Sequence, residues 1–390
     1  MPAKHTRDEL ERWGKIKPHS TPIFQTSVYD YPDLETLDDY YNGKIPGGYL
    51  YGRNGLPNST ELASLVAGFE RTESAIICSS GMGALTVAFL SRLNQGDHIV
   101  ASDGLYGGTT LFLREELSRF GIEFSFVDTT DPDKVASALS KSTKMVLVET
   151  ISNPTMQVCD VSRIAKSSKE SGAILLVDNT FATPFVIRPT EHGADVVMHS
   201  GTKFLGGHSD LMLGVLCGEK KTIEQASKFC TRAGVVAGPF DCWLASRSVQ
   251  TWQVRAIRSC ENALKLSRYL ESREDIVSRV YYPGLATHPQ HKLATRLFDK
   301  GMFGGMISFD LRGGLSKAGA FVKNLSKLTL TPSLGGVNTT VSHPGKTSHR
   351  YITENQKKEI GITDAMIRVS VGIEDFDVLK QEFEYALDKR

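Results

Sequence analysis

From about residue 58 onward, short apolar runs alternate with longer amphipathic stretches. The spacing predicts a helix over Asn58–Arg71, then an apolar run at Ala75–Cys78. Gly81–Leu93 carries Leu85, Ala88, Phe89 and Leu93 near helical spacing. Strand-like runs follow at His98–Ala101, Phe124–Val127, Met145–Val148, Ile174–Val177, Val196–Met198 and Leu213–Cys217, with helical segments between most of them. Strands apolar on both faces and alternating with helices belong to a mostly parallel sheet covered on both sides. Such sheets bind ligands at the carboxyl ends of their strands.

The pattern changes at both ends. Residues 1–50 show no sustained period and are rich in Pro, Tyr, Asp and Gly. A long arm without its own core is disordered or docked on a neighbour, and Phe24, Tyr29, Tyr31, Tyr40, Tyr41 and Tyr49 favour docking. Beyond Pro239 a long helical stretch, Phe240 to about Glu271, bridges to a smaller α+β domain. That domain is expected to hold a strand at Gly305–Asp310, a helix at Lys317–Leu325, a strand at Met366–Val371 and a last helix at Phe376–Lys389. The expected division is an arm over 1–50, a large α/β domain over 51–243 and a C-terminal domain over 244–390.

Composition narrows the function classes. A chain of 390 residues, 40% hydrophobic, has room for two domains and a substantial core. The net charge of +1 gives no electrostatic case for nucleic acid. The six cysteines are scattered, with no Cys-x-x-Cys and no Cys/His cluster. This argues against a zinc site or a disulfide framework and fits a reducing cytoplasm. Met1–Leu10 mixes charges without an apolar core, unlike a signal peptide. No stretch approaches the roughly 20 apolar residues of a membrane helix.

The chemistry is concentrated in Asp195-Val-Val-Met-His-Ser-Gly-Thr-Lys203-Phe-Leu-Gly-Gly-His208. A strand-like run ends in small and hydroxylated residues, then a single lysine. Ser200 and Thr202 offer hydroxyls to an anion, and Lys203 stands where such a lysine would form a Schiff base with a carbonyl cofactor. A surface lysine after an edge strand would carry the same short motif. Upstream, Asp178 closes the apolar run Ile174–Val177, a costly place for a charge without a cationic partner. A protonated pyridine nitrogen is such a partner. Together the two strand ends suggest pyridoxal phosphate. Ser80-Gly81-Met82-Gly83 opens a helix and suits a phosphate.

These stretches resemble the Cys/Met-metabolism family of pyridoxal-phosphate enzymes, which includes cystathionine and methionine γ-lyases, cystathionine synthases and homoserine sulfhydrylases. The resemblance runs nearly end to end, through Thr21–Ser27, Tyr51-Gly-Arg53, Ser79–Met82, Tyr106-Gly-Gly108, Glu149–Pro154, Asp178–Thr180, Ser200–Lys203, Ser333–Gly336 and Ile367–Glu374. It implies an aspartate-aminotransferase-like fold of type I, with a large cofactor domain and a smaller C-terminal domain. It makes Lys203 the cofactor-bearing lysine, Asp178 the partner of the ring nitrogen and Tyr106 the tyrosine stacked on the ring. Asn153 would bond the cofactor's phenolic oxygen, with Glu149 and Thr180 in support. Gly81, Met82, Ser200 and Thr202 would hold phosphate, completed by Tyr51 and Arg53 from a neighbouring subunit. Arg368, with Ser333 nearby, would hold the substrate carboxylate. The implied assembly is a homotetramer, a dimer of dimers with shared active sites, acting on a small amino acid. His199, His208, His343 and His349 lack metal-ligand spacing and read as structural. Trp252-Gln253 stands where the family has a Leu-containing segment, a departure the sequence does not explain.

Within that family, γ-elimination on a sulfur-containing or homoserine-derived amino acid is the leading expectation. γ-Replacement, β-elimination and transamination are alternatives. A nucleotide-binding oxidoreductase would need a Gly-x-Gly-x-x-Gly that does not follow the first strand, and the intact Lys203, Asp178, Tyr106 and Arg368 speak against a non-catalytic relative. Cystathionine-handling enzymes carry charges at three distal positions, where this chain has Leu50, Leu111 and Pro332. Methionine γ-lyases carry a cysteine where it has Gly108. These departures point to a substrate with a small or weakly charged far end.

Overall fold

The structure is a computed structural model and describes residues 18–299, 301–350 and 352–389. The first 17 residues, and with them the start of the expected arm and the region lacking a signal-peptide pattern, lie outside the described residues.

A seven-stranded sheet dominates the first two thirds of the chain. Its strands are β1 (Ser74–Cys78), β2 (His98–Ser102), β3 (Glu123–Val127), β4 (Thr143–Glu149), β5 (Ile174–Asp178), β6 (Val196–Ser200) and β7 (Gly214–Gly218). They are ordered β1-β7-β6-β5-β4-β2-β3, and only β7 runs against its neighbours. The expected mostly parallel sheet is present, and its packing explains the unbroken apolar runs. Successive side chains point to opposite faces. Thus Ile99, Ala101, Met145, Leu147, Leu176 and Met198 enter one core. Val100, Val146, Val148, Leu175 and Val177 enter another.

The expected Phe240–Glu271 helix is two helices, Pro239–Val249 and Trp252–Ser272. Thr251 leaves helical geometry (φ −109°, ψ 6°). Its hydroxyl donates to the Ser248 carbonyl and accepts from Arg255 Nε. The second helix spans two cores. Trp252 and Ala256 pack under the large sheet, whereas Cys260, Ala263, Leu266 and Leu270 pack under the small one. Trp252 is explained here: buried, it meets Phe69, Phe185 and His199 edge-on.

The smaller sheet has five strands, β8 (Val277–Tyr281), β9 (Met306–Leu311), β10 (Thr329–Leu330), β11 (Thr340–Ser342) and β12 (Met366–Ser370), ordered β10-β11-β12-β9-β8. Helices Gly314–Asn324 and Phe376–Asp388 cover it through Phe321 and Phe383. The arm is less irregular than expected. It contains the helix Leu34–Tyr41, capped by the Asp33 carboxylate accepting Thr36 N–H. None of that helix's residues is buried, so it leaves no apolar stripe in the sequence.

Candidate active site

Three adjacent strands, β4, β5 and β6, end in polar residues at one edge of the sheet: Glu149, Asp178 and Ser200. Glu149 is in register with Asp178, and Asp178 with Met198. Thr180 ties the ends together: its N–H donates to Asp178 Oδ1 at 2.9 Å, and its hydroxyl accepts Ser200 N–H at 2.8 Å. The turn after β6 then carries Lys203. Arg255 fixes that turn by donating to the carbonyls of Phe204 at 2.7 Å and Leu205 at 3.0 Å. Sequence reasoning missed Arg255, because its partners lie about fifty residues away.

These ends open on a cavity of about 240 Å³. Gly81, Met82, Tyr106, Glu149, Asn153, Asp178, Thr180, Ser200, Thr202, Lys203, Pro332 and Arg368 all line it. Ser333 joins through its hydroxyl, which accepts Lys203 Nζ at 3.0 Å. Met212 and Ser348 also line the cavity, and neither carries a sequence signal. The remaining candidates are not brought to it within one chain. Arg53 lines a separate cleft of about 660 Å³ and donates to the Thr231 carbonyl at 3.0 Å. Tyr51 lies under its guanidinium, 5.5 Å from ring centroid to Cζ. Leu50 and Leu111 are absent from the cavity lining.

The cavity sets cations against buried carboxylates. Arg368, on β12, is 2% exposed. Its Nε donates to Ser342 Oγ at 3.1 Å and its Nη1 to Asn153 Oδ1 at 2.7 Å. Burial pushes its pKa down to about 10. Burial, and then the Arg368 charge, lowers the Lys203 ammonium below the usual lysine range. Burial also raises Glu149 well above the usual carboxylate range, and Asp178's charge adds to this. The Tyr106 N–H, donated to Glu149 Oε1 at 2.6 Å, opposes the shift. Asp178 is raised by burial and held back by its Thr180 hydrogen bonds and by the charge of His199.

Two glycines shape the walls. A Cβ on Gly81 would sit 2.9 Å from Ser200 Cβ, so the Gly81–Leu90 helix starts hard against the end of β6. Ser80 caps that helix by accepting Gly83 N–H at 2.9 Å. A Cβ on Gly108 would fall 2.5 Å from the Tyr106 ring. The bare glycine therefore lets this ring, 44% exposed, lie over the start of its own helix.

Residues 4–388 match the family described as Cys/Met metabolism PLP-dependent enzyme. The chain belongs to the Cys/Met-metabolism family of pyridoxal-phosphate-dependent enzymes. It is 37% identical to an L-methionine gamma-lyase of Fusobacterium nucleatum subsp. polymorphum, over 94% of this chain and 93% of the relative. It is 40% identical to a cystathionine beta-lyase of Coxiella burnetii, over 94% and 92%. A solved cystathionine gamma synthase of Xanthomonas oryzae pv. oryzae, in complex with cystathionine, superimposes with a TM-score of 0.90 at 33% identity, covering 98% of this chain and 96% of that one. Three differently named activities stand at similar distance, so overall identity does not select among them.

The cavity fits the family's cofactor. A helix start packed on hydroxyl-bearing Ser200 suits a phosphate. Half-buried Lys203, with its lowered pKa, suits condensation with an aldehyde, and Asp178 stands ready for a cationic ring nitrogen. All six cysteines are free and buried. Among the described residues no group of three or more His, Cys, Asp or Glu could hold a metal ion, and no helix is long and apolar enough to cross a membrane.

Proposed function

We propose that the protein is a pyridoxal-phosphate-dependent γ-lyase, or a γ-replacement enzyme, acting on an L-amino acid whose distal group is small or weakly charged. Methionine, homocysteine or an O-acylhomoserine would fit. When bound, the cofactor supplies an electron sink that stabilises negative charge at the substrate's Cα. The chain supplies the rest. Lys203 anchors the cofactor and, once displaced by substrate, takes the Cα proton on Nζ and returns it further along the substrate. A lowered pKa suits that exchange. Asp178 would hold the proton on the ring nitrogen, and Tyr106 would cover the ring, its hydroxyl available to the leaving group. Gly81, Met82, Ser200 and Thr202 bind phosphate, Asn153 the phenolic oxygen, and Arg368 with Ser333 the substrate carboxylate.

The proposal extends to assembly. Tyr51 and Arg53 lie outside their own chain's cavity, so they complete the phosphate site of a neighbouring subunit in a homotetramer, with the arm of residues 1–50 docked alongside. Residues 51–243 carry the cofactor and 244–390 close the substrate side. A cytoplasmic location fits the six free thiols.

The observation that carries the substrate assignment is the cavity's charge content. Its charged lining residues are Glu149, Asp178, Lys203 and Arg368, and its apolar lining includes Met212, Pro332 and Leu334. The distal ammonium and carboxylate of cystathionine would find no further charged lining residue to pair with, at a cost of several kcal/mol. Steady-state kcat/KM for methionine, homocysteine, O-acylhomoserines and L-cystathionine, with and without sulfide or cysteine, tests this. A preference for cystathionine of about tenfold or more, roughly 1.4 kcal/mol, would overturn it.

A further inference from the structure

Behind the cavity, on the side of the large sheet that faces Trp252, lies a polar cluster that the proposed reaction does not use. At its centre is Glu70, the last residue of the Pro57–Glu70 helix and fully buried. Its Oε1 accepts His199 Nε2 at 2.5 Å and Asn179 Nδ2 at 3.0 Å. Both donors are neighbours of site residues. His199 precedes Ser200 at the end of β6, and Asn179 follows Asp178 at the end of β5. One carboxylate therefore ties together the two strand ends that present Lys203 and Asp178. Asn179 is locked further: its Nδ2 also donates to the Ile187 carbonyl at 2.9 Å, and its Oδ1 accepts the Thr150 hydroxyl at 2.8 Å.

The charges favour the same role. Among the described residues the one basic side chain that meets Glu70 is His199, and the Glu70 Oε2 is buried with no hydrogen bond. A buried carboxylate in that position needs donors, which the His199 ring and the Asn179 amide provide. His199 is 1% exposed, and its ring packs edge-on to Trp252 at 5.8 Å between centroids. Its charge favours the ionised form of Asp178, against the burial that opposes it. The other groups around this cluster are the Cys217 thiol on β7, and Glu149, Lys203 and Arg368 at the cavity.

We propose that Glu70 is a positioning residue for the cofactor site: its buried carboxylate clamps the ends of β5 and β6 through Asn179 and His199, and so fixes where Asp178 is presented to the cofactor's ring nitrogen. The inference rests on the proposed role of Asp178 and deepens it.

A double-mutant cycle tests it, using Glu70→Gln, Asp178→Asn and the double variant. The readout is the dissociation constant for pyridoxal phosphate, from titration of each reconstituted apoprotein followed by absorbance. If Glu70 acts through Asp178, Glu70→Gln weakens binding about tenfold, the scale of losing a support behind a ligand-holding residue. In the Asp178→Asn background the same change then alters binding by less than about twofold. Equal, multiplicative losses in both backgrounds would overturn the inference while leaving the site intact. Unchanged affinity in Asp178→Asn alone would overturn the site assignment, and this inference with it. A second measurement needs no folded Glu70 variant. Nitrogen NMR of the ¹⁵N-histidine-labelled wild-type holoenzyme, with the His199 signal assigned by its loss in His199→Gln, should show a proton on Nε2, the nitrogen that faces Glu70. A His199 ring whose Nε2 carries no proton would overturn the proposal.

Discussion

Replacing Arg368 by lysine keeps the charge and removes the fork. In the structure Nε and Nη1 are spent on Ser342 and Asn153, and among the described residues Nη2 makes no hydrogen bond, while the side chain lines the cavity. Nη2 is thus the donor free for a substrate carboxylate, held in place by the other two bonds. A lysine ammonium cannot make all three contacts in fixed geometry. Losing a charge-assisted hydrogen bond costs about 1.5–3 kcal/mol, so kcat/KM for methionine should fall roughly 10- to 100-fold. Leaving Ser342 or Asn153 unpaired should also cost about 1–3 kcal/mol of folding stability. Affinity for the cofactor should hardly change. The assay is steady-state kinetics on methionine and on the corresponding amine without a carboxylate, beside a cofactor titration and thermal unfolding. The variant should lose most of its preference for the carboxylated substrate. A kcat/KM within threefold of wild type, with that preference retained, would refute the assignment of Arg368 to the carboxylate.

Two other outcomes follow from the geometry. Arg53→Ala should weaken cofactor retention, and mixing it with Lys203→Ala should restore part of the activity as subunits exchange; absence of recovery where exchange is demonstrated would count against a shared site. Burial pushes His349 and His288 down to about 4, so between pH 6.5 and 4 the unfolded chain binds protons that the folded chain refuses. Stability should therefore fall as pH drops through that window, by up to about 1.4 kcal/mol per histidine per pH unit. His349→Asn should flatten the slope of unfolding free energy against pH, and an unchanged slope would contradict the role of burial.

The large sheet was legible because its strands are buried on both faces. Val146 and Leu147 enter opposite cores, so no polar residue interrupts the run. β8 was not legible: Ser278 and Arg279 in its middle are exposed, which leaves neither a run nor an alternation. The break at Thr251 was hidden because no glycine or proline marks it, and the carbonyl it frees is taken by side chains. Asp178 and Lys203 could be singled out because each follows an apolar strand where a charge stands out. The Glu70–His199 contact spans 129 residues and could be seen only once the Pro57–Glu70 helix was packed on the large sheet against β1 and β7. The sequence reading of Tyr51 and Arg53 as residues serving another subunit is compatible with their position away from the cavity, but the complementation experiment decides it.

The central claim is that Lys203 carries the cofactor. Purified holoenzyme reduced with borohydride and digested should yield one phosphopyridoxyl-modified peptide, with the label on Lys203, and Lys203→Ala should yield none while still folding. A label on another lysine, or an equally labelled Lys203→Ala protein, would contradict the account.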